Sequence, residues 1–388
     1  MFHRLLKPTQ KHSFFLFGPR GSGKSTLVGS IFPASQTLSI DLLDPVMEDL
    51  FHRDPLELDR RIAALPSSVR WVLIDEVQKA PRLLNLVHRS IEKKGRPFIL
   101  TGSSPRKLMR GAANLLAGRA FVYHLHPLTH LELGSSFDLS AVLRWGSLPK
   151  TFQLSSDDEK ARFLQAYALT YLKEEIAVEQ LVRRLDPFRN FLPIAAQCNG
   201  QVLNYTRIAE DVGVDVKTVQ SYFSILEDTL LGFHLPAYHR SLRKSHKGHP
   251  KFYLFDPGVK RALDRTLTQE LYPKTYAFGA AFEHFMILEC RRLNDYFKKD
   301  FAFSHLRTKD GAEVDLVVDR PGRPPVLVEF KSSDHVKDRD ITHLSRFQAD
   351  MPGSKALCLS LDSHPKKIGD VLCLPWKEGL REIGLTPS

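Results

Sequence analysis

The 388-residue chain has few cysteines: Cys198, Cys290, Cys358 and Cys373, no two of them spaced as a CxxC pair. That argues against a cysteine-based zinc motif and against a disulfide framework, and it fits a reducing compartment. No apolar run reaches the ~18 residues that a membrane span requires. The opening "MFHRLLKPTQKH" lacks the apolar segment of a secretory signal. A cytoplasmic protein with no membrane partner is therefore expected. No internal repeat and no long low-complexity linker is visible, so the domains should abut. Acidic residues are also in deficit, 44 against 55 lysines and arginines, which leaves a net charge of +11. Such a surface favours nucleic acid or another polyanion.

What is present is an ordinary globular balance, 43% hydrophobic and 26% charged, on a length that suggests two to three domains. Between residues 14 and 128, the short apolar runs "FFLFG", "TLSIDL", "WVLIDE", "FILTGS" and "AFVYHL" alternate with helical stretches. That alternation predicts a parallel sheet covered by helices. Residues 129–185 read as mostly helical, residues 186–256 as helices followed by a basic hairpin, and residues 257–388 as a second α/β domain. The expected division is thus 1–128, 129–185, 186–256 and 257–388.

The segment "FFLFGPRGSGKSTLV" contains G-x-x-x-x-G-K-S between an apolar strand and a helical stretch. Gly18, Pro19, Arg20, Gly21, Ser22, Gly23, Lys24, Ser25 and Thr26 form a phosphate-binding loop in this reading. Glycines let backbone N–H groups approach phosphate oxygens, Lys24 reaches the β- and γ-phosphates, and the Ser25 hydroxyl binds Mg²⁺. The helix that follows points its N-terminus at the phosphates. About 50 residues on, "WVLIDEVQKAP" sets Asp75 at the end of a buried strand to hold Mg²⁺, with Glu76 to orient or deprotonate water. The cofactors expected are ATP and Mg²⁺. In "FILTGSSPRKLMRGAANLLAGRA", Thr101, Ser103 and Ser104 end a strand that can sense the γ-phosphate. Arg106, Arg110 and Arg119 follow, and Arg119, then Arg110, is the arginine expected to act on the transferred phosphoryl group.

The segment from Tyr205 to Phe255 reads as a winged helix-turn-helix. Ile208, Ala209 and Val212 face inward from a first helix, Gly213 turns the chain, and Val219, Tyr222 and Phe223 pack a second. Lys217, Thr218, Gln220 and Ser221 then face a nucleic-acid groove. "LLGFHL" and "KFYLF" pair as a wing, and Arg240, Arg243, Lys244, Lys247 and Lys251 lie in or beside it as phosphate contacts.

Further on, "AEVDLVVDRPGRPPVLVEFKSS" reads as a hairpin with its turn near Gly322. Asp315 is seven residues before that glycine and Glu329 seven after, so the two face each other. Lys331 shares the face of Glu329 because alternate strand residues do. With Glu283 on the preceding helix, these carboxylates and the lysine can bind Mg²⁺ over a phosphodiester. Equally, they can form an ion-pair ladder.

The phosphate loop, "LIDEVQKAP", "ILTGSS", "NLLAGRA" and "RWGSLP" together resemble a family of prokaryotic AAA+ ATPases. Its C-terminal domain, long of unknown function, is similar to PD-(D/E)XK nucleases. The resemblance covers nearly the whole chain and implies an α/β P-loop core with a helical lid. It implies a role for Gly146 to Pro149 as a lid turn near the nucleotide base, although Ser147 stands where a second glycine is common. It also implies a homo-oligomer, a hexamer by analogy, in which a neighbour's arginine completes each site. Three readings follow. One is a ring-forming motor that moves or remodels DNA, with Holliday junctions as substrate by analogy with recombination and repair. Another is an ATP-gated Mg²⁺-dependent nuclease. The last is a nucleotide-dependent switch that binds DNA or protein.

Overall fold

The computed structural model describes residues 2–93, 95–104, 118–171, 185–239, 248–308 and 310–387. The chain divides into two compact units. The first comprises residues 1–132 with the short segments 148–150 and 228–231, and the second holds the remainder.

In the first unit, all five apolar runs are strands: β1 (Phe14–Phe17), β2 (Thr37–Asp41), β3 (Trp71–Asp75), β4 (Phe98–Gly102) and β5 (Phe121–His124). They form one parallel sheet in the order β2-β3-β4-β1-β5. Every residue of β1 and β4 is buried, as expected of central strands covered on both faces. One core cluster brings Phe15 and Phe17 of β1 together with Val72, Ile74, Phe98 and Leu100 and with Leu83, Leu84 and Val87 of the helix Leu83–Glu92. Because β3, β4 and β1 are adjacent and parallel, their C-terminal ends share one edge of the sheet. That edge is where an open α/β sheet presents its ligand-binding loops.

The second unit contains a mixed sheet in the order β12-β13-β11-β10-β9-β8. Its strands are β8 (Ala302–Arg307), β9 (Glu313–Arg320), β10 (Arg323–Lys331), β11 (Lys355–Ser360), β12 (Lys366–Ile368) and β13 (Val371–Pro375). The β9–β10 hairpin pairs Val326 with Val318, Leu327 with Val317 and Val328 with Leu316. Carried one step further, that register sets Glu329 across from Asp315, as the turn at Gly322 predicts. Gly322 has φ 68°, a left-handed conformation that glycine adopts without strain. The helix Thr342–Asp350 buries Leu344 and Phe347 in a cluster with Val314, Val317 and Leu327 of the hairpin.

The same unit carries the helices Tyr205–Val212 and Val216–Asp228 (as far as Glu227) and an antiparallel pair, β6 (Gly232–Leu235) with β7 (Lys251–Leu254). Asn204 caps the first helix through the Arg207 N–H, and Gly213 ends it with φ 73°. Ile208, Ala209, Val212, Val219, Tyr222 and Phe223 are all buried.

Gly146 ends the helix Leu139–Trp145 with φ 74°. A Cβ there would collide with Oδ1 of Asp256. Asp256 is fully buried and accepts hydrogen bonds from the Ser147 N–H (2.7 Å) and the Val259 N–H (3.1 Å). Ser147 in turn accepts from Arg292, 2.9 Å away. The serine standing at the usual glycine position is therefore held by a buried polar network. Gly146→Ala should lower the stability of the second unit by about 1–3 kcal/mol through backbone strain and the lost carboxylate contact. Chemical denaturation checks this, and an unchanged midpoint would show that the turn relaxes without cost.

Candidate functional site

The edge formed by β1, β3 and β4 gathers the phosphate loop, Asp75, Glu76 and Thr101–Ser103. Gly21 and Gly23 take φ 75° and 96°, conformations that allow the loop to wrap toward its centre without side chains in the way. The loop's last glycine leads directly into the helix Lys24–Ile31. Lys24 is buried, and its Nζ donates to the Gly18 carbonyl at 2.8 Å and lies 4.0 Å from Glu76. Ser25 Oγ donates to Asp75 Oδ2 at 3.1 Å, across 50 residues of sequence. Thr101 Oγ1 donates to the other oxygen of Asp75. Ser25 and Asp75, an exposed hydroxyl beside a carboxylate, are a donor set suited to Mg²⁺. Pro149 lies beside the loop, 3.9 Å from where a Cβ on Gly23 would stand.

Glu76 adopts φ 55°, a left-handed conformation uncommon outside glycine. Its carboxylate is held from several sides. Oε2 accepts from Gln78 Nε2 (2.5 Å), the Ser103 N–H (3.2 Å) and Ser103 Oγ (3.2 Å), while its own N–H donates to Thr101 Oγ1 (3.3 Å). Gln78 is buried and also reaches Ser103 Oγ at 3.1 Å. Gly102 permits this approach, since a Cβ there would stand 2.6 Å from Gln78 Oε1. Gln78 is a signal visible in the sequence, a glutamine two residues after the acidic pair. Arg4 is not: it donates to the Ser22 carbonyl (2.7 Å), the His126 carbonyl (2.5 Å) and Glu132 (2.8 Å). Arg4 thereby ties the phosphate loop to the chain beyond β5. Nothing local in "MFHRLL" marks that role.

Arg119 pairs with Glu92 in a half-exposed ion pair. Arg106 and Arg110 lie outside the described residues, as do Arg240, Arg243, Lys244 and Lys247 of the basic run. On the helix Val216–Asp228, Lys217, Gln220 and Ser221 are exposed. Thr218 is a correction: its hydroxyl donates to Asp215 at 2.6 Å and its N–H at 2.9 Å. It serves the N-terminal cap of the helix rather than presenting a free group to a ligand.

Lys251 is the larger correction. Instead of facing solvent at the wing, its side chain is only 3% exposed. Nζ donates to Glu283 Oε1 at 3.0 Å and pairs with Glu313. Strand β7 alternates its side chains and turns this one into the protein, where a charge must find partners. Tyr253, two residues on and on the same face, donates its hydroxyl to the same Glu283 oxygen at 2.7 Å. Glu283, Asp315, Glu329 and Lys331 do come together, as expected, with Glu313, Lys251 and Tyr253 added. Asp315 Oδ2 accepts the Phe330 N–H at 2.8 Å, and Lys331 Nζ donates to Glu329 Oε1 at 2.7 Å. Burial, then the negative charges of Glu329 and Glu283, push the Asp315 carboxyl well above its ordinary range. Burial also raises Glu329, against the pull of Lys331. For Lys251, burial opposes the charged form, but Glu283, Asp315 and Glu313 outweigh it and the pKa is raised. Among the described residues, no group of three or more histidines, cysteines or carboxylates is arranged to hold a metal ion. The acids of this cluster are engaged by lysines, a tyrosine and a backbone N–H, so as arranged they do not fit Mg²⁺.

The raised Asp315 carboxyl has a stability consequence. Between its ordinary value of 3.8 and its raised value in the fold, the folded chain holds a proton that the unfolded chain has released. Stability therefore falls as pH rises through that window. Asp315→Asn should remove this term, raising the unfolding temperature by a few degrees (roughly 2–4 °C) at pH 8 and leaving it unchanged near pH 3. Thermal unfolding against pH checks it; a variant less stable than the parent at pH 8 would mean that the ionised form is the one favoured in the fold.

Parts of the chain match the models of known families. Residues 10–134 match the family model of an AAA domain. Residues 136–270 and 278–378 match two domains of unknown function, DUF8612 and DUF4143. An uncharacterized protein of Mycobacterium tuberculosis is 29% identical over 316 residues, covering 80% of this chain and 68% of that protein. One of Methanocaldococcus jannaschii is 23% identical over 431 residues, covering 96% and 85%. Among solved structures, the Aeropyrum pernix ORC1 protein in complex with DNA aligns over 69% of this chain and 88% of its own, at 14% identity and a TM-score of 0.24. Domain III of the Thermotoga maritima replication initiation protein DnaA aligns over 57% and 86%, at 16% identity and a TM-score of 0.24. These scores are too low to establish a common overall arrangement. The family matches stand independently of them: the loop from Gly18 to Thr26 and the acidic pair lie within the stretch that matches the AAA domain model, and the carboxylate hairpin within the stretch that matches the DUF4143 model.

Proposed function

We propose that this chain hydrolyses ATP and uses the energy to move or remodel DNA. The observation that carries the first part is the hydrogen-bonded group at the ends of β1, β3 and β4. Ser25 meets Asp75 there, and Glu76 is oriented by Gln78 and Ser103. In this reading, the loop from Gly18 to Thr26 binds the phosphates and Lys24 shifts from the Gly18 carbonyl to the β- and γ-oxygens. Ser25 and Asp75 hold Mg²⁺. Glu76 takes a proton from water at its carboxylate, and the left-handed backbone at this residue aims that carboxylate into the site. Ser103 lies where it can report the state of the γ-phosphate to β4, and Pro149 borders the nucleotide. Arg119 or Arg110 acts on the neighbouring subunit of a ring, taken as a hexamer by analogy.

The DNA part rests on charge and local architecture. The net charge is +11. Two helices joined at Gly213 are followed by an antiparallel strand pair, which supports a winged helix-turn-helix. Lys217 and Gln220 stand exposed on the second helix. The run Arg240, Arg243, Lys244 and Lys247 supplies phosphate contacts. The fourfold division 1–128, 129–185, 186–256 and 257–388 is kept as part of this proposal. A PD-(D/E)XK-like C-terminal domain is supported by the order of the helix acid, the strand acid and E-x-K. In this reading the domain holds DNA or the assembly rather than cutting it.

ATP hydrolysis measured with single-stranded, duplex and four-way-junction DNA tests the proposal. Lys24→Ala should abolish hydrolysis, and Glu76→Gln should lower it by at least ~100-fold while ATP binding persists. Selective stimulation by one DNA form, the junction being our first choice, is the result expected. A Glu76→Gln variant as active as the parent would overturn the role of Glu76, and hydrolysis indifferent to every DNA would overturn the motor. Neutralising Arg243, Lys244 and Lys247 together should reduce the slope of log affinity against log salt by about 2–3. An unchanged slope would place the phosphate contacts elsewhere.

A further inference from the structure

We infer that Lys251 is the resident cation of the C-terminal carboxylate cluster, and that this lysine, by pairing with Glu283 and Glu313, keeps divalent metal out of the E-x-K hairpin. The inference goes beyond the ATPase reading and does not depend on it.

The acids are accounted for one by one. Glu283 Oε1 accepts from both Lys251 Nζ (3.0 Å) and the Tyr253 hydroxyl (2.7 Å). Glu313 pairs with the same Lys251 ammonium. Asp315 accepts the Phe330 N–H, and Glu329 accepts Lys331. Mg²⁺ demands near-octahedral oxygen ligands at about 2.0–2.1 Å. An ammonium already bonded to two of the acids competes for those oxygens and repels a second cation at short range. The lysine cannot readily swing away. It begins a fully buried strand, and that strand is fixed by pairing with β6 and by a bridge to Val202. Leaving the cluster would also take the shared cation from Glu283 and Glu313, leaving them Tyr253 and the more distant Arg307.

Charge counting supports the same conclusion. Four carboxylates face Lys251, Lys331 and, 3.8 Å from Glu313, Arg307, so three of the four negative charges are offset. Burial raises both Asp315 and Glu329, so it disfavours the ionised form that a metal would need. Glu329 Oε2 is buried without a hydrogen-bond partner.

The test is Mn²⁺ binding to the full chain without nucleotide, followed by electron paramagnetic resonance of the free ion. Asp75→Ala in every protein used removes the N-terminal metal site from the measurement. With Lys251 present, no Mn²⁺ uptake is expected up to about 1 mM, the weak end of protein sites for hard cations. Lys251→Met should gain one Mn²⁺ site, at least tenfold tighter, which a second change, Asp315→Asn, abolishes. Uptake by the lysine-containing chain that Asp315→Asn or Glu283→Gln removes would overturn the inference. So would a folded Lys251→Met chain that takes up no Mn²⁺. Should Lys251→Met fail to fold, the titration of the lysine-containing chain decides alone.

Discussion

A charge taken out of water must meet a partner, and the candidate sites of this chain are organised by that requirement. Lys24, Glu132 and the side chain of Arg4 are buried in the first unit, and Lys251, Arg292 and Asp256 in the second. Each is bonded to groups far away in sequence. Arg4 reaches Glu132, Ser147 reaches Asp256, and Lys251 reaches Glu283 and Glu313. A buried ion pair contributes little net stability compared with apolar packing, but losing one member is expensive. Such pairs therefore act mainly as constraints. They allow one arrangement of the segments they join and penalise the alternatives.

The two clusters use the constraint differently. At the edge of the parallel sheet, the acids keep groups that can exchange. Ser25 on Asp75 and Lys24 on Gly18 and Glu76 are contacts that, in the proposed ATPase, a phosphate or a metal ion would replace with stronger ones of the same sense. The residue that should not move, Glu76, is instead held by neutral donors, Gln78 and Ser103, which orient a carboxylate without cancelling its charge. In the C-terminal cluster the principal donors are themselves cations. Lys251 and Lys331 offset much of the charge that would draw a metal, and the strand that carries Lys251 is immobilised by its own pairing. The first arrangement suits turnover and the second suits permanence.

Much of this was legible in the sequence, for identifiable reasons. The five apolar runs of the first unit were all recognisable because buried parallel strands are uniformly apolar and bounded by turns. The loop from Gly18 to Thr26 was recognisable as a loop because Gly21 and Gly23 take left-handed conformations between a strand and a helix. The register of the β9–β10 hairpin followed from a turn glycine and the two-residue period of a strand. Contacts made by long side chains across the fold were not legible. Arg4 lies in a stretch with no pattern. Lys251 sits at the end of a run of basic residues, where composition suggests a solvated face and strand alternation reverses it. Thr218 looked available because its neighbours are, yet Asp215 three residues earlier claims it for the cap.

The E-x-K hairpin shows why that second class of contact matters for function. Its motif names the acids and one lysine, and all of them assemble where the register says they should. Whether such an assembly binds metal depends on the net charge of everything that faces it. The decisive group here comes from another hairpin, more than sixty residues earlier in the chain. Glu283 illustrates the point: on its helix it is the natural third carboxylate of a metal site, but with Lys251 and Tyr253 on one of its oxygens it becomes the anchor of strand β7. The same side chain can thus complete a reaction centre or fasten a strand, and the choice is made by the cation that the rest of the fold delivers to it.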